Sequence, residues 1–170
     1  MKLKIVVLFL FCAALVFSQG RSGRNREVVH PVSNKEIVQS VFPEAAEVKK
    51  VNDYWYYIQD SKGKVLGYAL NSNTNCEGII GYGKQTPVMI ITNKSGVIQK
   101  VALLTHYETP SYIKLLENNG FFNLWNGKKL KEAQKVELDG YSGATVTAIA
   151  VQKNVKYMLE KGSQIKPTSR

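Results

Sequence analysis

The sequence predicts an α+β domain in which an antiparallel sheet built from hairpins carries helices packed against it, the last helix starting near Thr145. Two observations predict the sheet. Residues 48–59 and 65–70 are β-forming runs joined by Ser61-Lys62-Gly63-Lys64, and residues 87–92 and 97–105 are joined by Asn93-Lys94-Ser95-Gly96. A third predicts the helices: apolar residues return at helical spacing after Ser33, after Pro110 and after Thr145. With 170 residues, 44% of them apolar, the chain is long enough for one core and too short for two ordinary domains.

Taken in order, Lys2 and Lys4 precede an uninterrupted apolar run over residues 5–17 and the small or polar Ser18-Gln19-Gly20. Residues 1–18 therefore read as a secretory signal peptide, which directs the protein to the periplasm or cell envelope. Retained, the same run would act as an N-terminal membrane anchor, although it is short of the roughly 20 apolar residues a spanning helix needs. Cys12 follows Phe11, where a lipoprotein cysteine would follow a small residue. Once the signal is removed Cys76 is the only cysteine, so no intramolecular disulfide forms, and a lone thiol of this kind is ordinarily structural.

Residues 19–32 read as a flexible segment, residues 33–162 as the domain and residues 163–170 as a tail. Ser33 is placed to N-cap a short helix, with Glu36 completing a capping box, Ile37, Val38 and Val41 giving the apolar face, and Pro43 ending it. In residues 48–59 the alternation of Val51, Tyr54, Tyr56 and Ile58 predicts one continuous strand. Tyr112, Ile113, Leu115 and Leu116 predict a helix broken at Asn118-Asn119-Gly120, and the aromatic block Phe121, Phe122, Leu124, Trp125 reads as core. No internal repeat or low-complexity segment is present.

Net charge is +10, and without Lys2 and Lys4 the chain keeps 21 basic against 13 acidic residues, or +8. The basic residues are dispersed and not interleaved with aromatics, which argues against nucleic acid as a partner and suits docking to an acidic redox protein. The densest patch, Lys128, Lys129, Lys131 and Lys135, reads equally as an exposed polar turn at a strand edge or as a partner site.

The most specific string is Asp139-Gly140-Tyr141-Ser142-Gly143-Ala144-Thr145. It places a hydroxyl at a helix start, where orphan N–H groups and the positive dipole end favour a phosphate, and Gly143 and Ala144 let that phosphate come close to the backbone. Read piecemeal it is a loop entering a helix, with Asp-Gly as a turn and Ser as an N-cap. Read whole, it resembles the flavinylation motif D-x-x-[ST]-G-A-T of the FMN-binding domain family, which includes the flavin-carrying subunits of the Rnf and sodium-pumping NADH:quinone oxidoreductase complexes. In that family the last Thr carries FMN through a phosphoester. The resemblance makes Thr145 the acceptor and Thr147 a member of the first helical turn.

A second block, His106-Tyr107-Glu108-Thr109-Pro110-Ser111, resembles the family's H-x-E-T-P-G segment, and Gly81-Tyr82-Gly83 resembles the G-Y-G-G-P segment before it. Ser111 and Lys84 stand where the family has Gly. The resemblance spans roughly residues 65–159 in the family's order. It implies that Asp139 and Ser142 are read by a separate Mg²⁺-dependent flavin transferase using FAD as donor, that Thr109 and Tyr112 sit near the ring, and that Glu108 either joins them or fixes the loop. His106 reads equally as a strand-end histidine and as a proton-coupling group.

The cofactor so implied is covalent FMN, and the activity that of an electron-transfer domain passing electrons between redox partners, among them a membrane reductase complex. No G-x-G-x-x-G follows a strand and no cysteine cluster suits iron–sulfur or haem, so substrate-oxidising machinery is not legible. The Ser111 and Lys84 departures allow one alternative, an exported binding or adaptor module of the same fold without flavin.

Overall fold

The computed structural model describes residues 28–138 and 143–167. Five strands, β1 (Glu47–Lys50), β2 (Trp55–Gln59), β3 (Val65–Asn71), β4 (Val88–Asn93) and β5 (Ile98–Leu103), form one sheet in sequence order with every neighbouring pair antiparallel. The expected hairpins are β2–β3 and β4–β5. Their turns are closed by the side chains the sequence put there: Asp60 Oδ1 accepts from the N–H groups of Lys62 and Lys64, and Asn93 Oδ1 from those of Ser95 and Val97.

The single strand expected over residues 48–59 is two. Asn52 breaks it, its Oδ1 accepting from the N–H groups of Tyr54 and Trp55 at 3.0 and 2.9 Å, so that β1 folds back on β2 with Val48 opposite Ile58. An Asx turn of this kind competes with strand continuation, and the apolar alternation runs across it without marking the reversal.

The sheet is covered on both faces. Helix α1 (Asn34–Gln39), with Ser33 Oγ accepting from Glu36 N–H at 3.2 Å, packs Ile37 and Val38 with Ile58, Ala69, Met89 and Ile91. Against the other face lie α2 (Pro110–Asn118), a 3-10 turn (Phe121–Asn123), α3 (Leu130–Ala133) and α4 (Thr145–Gln164), which close on Trp55, Leu70, Val88, Ile90 and Val101. Alternate residues of β4 go to the two cores, hence its unbroken apolar run. Phe121 and Trp125 are fully buried with their rings edge-to-face at 5.4 Å, in the core as the sequence indicates.

The ends of the domain extend beyond the sequence-based limits. His30, expected in the flexible segment, pairs in antiparallel fashion with His106, and Val32 N–H donates to Thr105 Oγ1. At the other end α4 continues through Gln164. The carbonyls of Ile165 and Pro167, expected in a tail, accept bonds from Trp55 Nε1–H and the Tyr57 hydroxyl. The lysine patch is a bridge of Lys129 to Val97 at the β5 edge followed by α3, so it is partly helical rather than a polar turn alone. Among the described residues no helix is long and apolar enough to cross a membrane.

Candidate functional site

Helix α4 begins at Thr145 with Ala144 as N-cap, a residue whose side chain makes no cap hydrogen bond. The approach is made by Gly143 at φ +88°, a conformation other residues adopt only with strain. Thr145 is exposed at the mouth of a cleft of about 230 Å³ lined by Tyr82, Tyr112, Gly143, Ala144, Val146 and Thr147. The rings of Tyr82 and Tyr112 meet edge-to-face across it, 5.4 Å between centroids. Asp139 and Ser142 lie outside the described residues.

The second threonine of the turn has a different environment. Thr147 is buried and donates its hydroxyl hydrogen bond to Glu108 Oε2. Glu108 is itself wholly buried, and its carboxylate also accepts from Tyr82 N–H at 3.2 Å and Gly83 N–H at 2.8 Å. One side chain therefore braces three segments: the loop before β4, the segment after β5 and the start of α4. A buried carboxylate requires such partners, because an unsatisfied one costs several kcal/mol.

The loop can approach only because its glycines lack a side chain. A Cβ on Gly83 would stand 2.2 Å from the Tyr107 carbonyl oxygen, and one on Gly81 would stand 2.5 Å from Glu108 Oε1. Lys84 places its ammonium 4.5 Å from the centre of the Tyr107 ring, and Ser111 occupies the exposed first turn of α2. Both departures from the glycine pattern thus fall where a side chain is accommodated.

His106 is buried, accepts at Nδ1 from Glu108 N–H at 3.1 Å, and has its ring 5.2 Å from that of His30. Burial, with the His30 charge adding to it and Glu108 opposing, lowers its pKa below the ordinary histidine value. Thr109 is the N-cap of α2 and does not line the Thr145 cleft. Cys76 is buried and burial raises its thiol pKa, which suits a structural residue. The structure thus gathers Thr145, Gly143, Ala144 and Tyr112 at one cleft, puts Glu108 behind it and Thr109 to one side. Tyr82 lines the cleft too; its place inside the Gly-Tyr-Gly loop was the available signal.

Residues 81–160 match the family model of the FMN-binding domain. That segment is similar to the FMN-binding domain family. It contains the whole cleft, the Glu108 brace and most of α4. No curated protein matches the chain. The residues present fit such a cofactor: an exposed hydroxyl at a helix N-terminus, small residues leading to it, and two aromatic rings beside it.

Proposed function

We propose that Thr145 carries FMN through a phosphoester and that the protein is an exported electron carrier, not a self-contained catalyst. The observation that carries the choice of residue is the contrast within one helical turn, Thr145 exposed and Thr147 buried on Glu108. A hydroxyl already donating into a buried carboxylate is neither reachable by a transferase nor free to be substituted.

In attachment, Thr145 Oγ attacks the phosphorus on the riboflavin side of FAD. The new O–P bond forms as the pyrophosphate bond breaks, AMP leaves, and the hydroxyl proton passes to the solvent. A Mg²⁺-dependent flavin transferase supplies the site, with Asp139 and Ser142 as part of what it reads. The N–H groups of the α4 first turn then face the phosphate, and the helix dipole favours its charge. Tyr82 and Tyr112 offer apolar contact and shield that side from water. When bound, the flavin supplies reversible uptake of electrons; tethering and orientation come from the chain. The net charge of +8 after signal removal suits an acidic redox partner, and residues 1–18 suit export, so mature protein sequenced from its N-terminus should begin near Gln19.

The test is a pair of variants produced with the transferase. Thr145→Ala should abolish ultraviolet-excited fluorescence of the band in a denaturing gel, and Thr147→Ala should retain it. Loss in Thr147→Ala with full fluorescence in Thr145→Ala would overturn the assignment.

A further inference from the structure

The Thr145 cleft, at about 230 Å³, is smaller than the roughly 300–1,000 Å³ usual for a site enclosing a small molecule. A second depression of about 330 Å³ adjoins it and shares Val146 as a lining residue. Gly78, Ile79 and Ile80 form one wall, and Val146, Ile149, Ala150 and Lys153 of α4 the other. These four recur at intervals of three and four residues from Val146 to Lys153, so one helix face runs away from Thr145 along the groove.

Its surface is unusual for this molecule. Seven large hydrophobics are exposed among the described residues, and Val28, Val29 and Ile165 lie close to the ends of the described chain. The other four, Ile80 (56%), Tyr82 (57%), Val146 (54%) and Ile149 (42%), all line these two depressions. Exposed apolar side chains so concentrated mark an interaction site, and along a concave groove a ligand-binding one. Lys153, itself exposed, lies eight residues beyond Thr145, about 12 Å along the helix axis at 1.5 Å per residue, and among the described residues is the one charged side chain lining the groove.

We propose that the isoalloxazine of FMN tethered at Thr145 lies along this groove, between Ile80 and Ile149, with the Lys153 ammonium at its pyrimidine edge, where it sets the reduction potential. This rests on the Thr145 phosphoester. Two-electron reduction, by a partner redox protein or by dithionite in vitro, takes up two electrons and one proton, which binds N5, and leaves a negative charge over N1 and the C2 carbonyl. A cation beside that edge stabilises the reduced anion more than the neutral oxidised ring and so raises the potential. Lys153 is then a positioning and tuning residue with no part in attachment.

The experiment uses full-length protein flavinylated with transferase and FAD, its covalent occupancy established by intact mass before titration. Lys153→Gln should keep full occupancy, lower the midpoint potential by about 30 mV for each tenfold loss in the two-electron equilibrium constant, and move N1–H ionisation of the reduced flavin to higher pH. Lys153→Arg should restore both. Lys161→Gln, which removes a charge further along the helix over the Tyr157 ring, should change neither. Full occupancy with potential and ionisation unchanged in Lys153→Gln overturns the groove assignment alone, and an equal shift in Lys161→Gln does so by showing a general charge effect. Absence of the adduct in wild type overturns the phosphoester and this inference together.

Discussion

Glu108 carries more of the site's architecture than any other side chain, because its two oxygens hold the Gly81–Gly83 loop and the α4 start in one register. Glu108→Gln keeps the shape and turns one acceptor into a donor facing a donor, so chemical denaturation should show a loss of about 1–3 kcal/mol. Gly83→Ala meets the Tyr107 carbonyl, backbone that cannot swing aside, and the same measurement should show about 1–3 kcal/mol. Wild-type stability in either variant would mean that the brace is dispensable. That Thr145 and not Thr147 is exposed could be anticipated only through the family resemblance, since both threonines satisfy helical periodicity equally.

The two hairpins, α2 and α4 were legible because turn residues and apolar period agreed locally. Asn93 and Asp60 close their turns with their own side chains, and Gly120 ends the helical run at a left-handed residue. The reversal at Asn52 was not, because an Asx turn leaves the alternation of Val51, Tyr54 and Tyr56 undisturbed. Equally hidden was the meeting of loop 81–83, residue 108 and α4, since each hydrogen bond in it joins residues 25 to 39 positions apart. The entry to α4 depends on Gly143, and a Cβ there would both sit at φ +88° and come within 3.1 Å of Leu115 Cδ2. Gly143→Ala is expected to cost about 1–2 kcal/mol and to slow flavinylation at Thr145 in a time course with transferase in excess. An unchanged time course would separate the turn geometry from acceptor presentation.

Across the whole domain, stability should depend on pH through His106. Its folded pKa lies below the unfolded value of about 6.5, so the native state binds fewer protons than the unfolded chain as pH falls through that value. The contribution is complete above about pH 6.5 and is lost progressively below it. Denaturation midpoints between about pH 7.5 and 5.5 should fall in wild type and flatten in His106→Asn, whose amide oxygen can still accept from Glu108 N–H; parallel slopes would remove His106 as the cause. The central claim, that one hydroxyl at the α4 N-terminus carries the cofactor, is most directly tested by intact mass after incubation with an active transferase and FAD. The wild-type chain should gain one FMN less one water, with fragmentation placing the gain on the peptide containing Thr145. A bare-chain mass, with the same transferase modifying a control substrate, would contradict the account and leave a flavin-free module of the same fold.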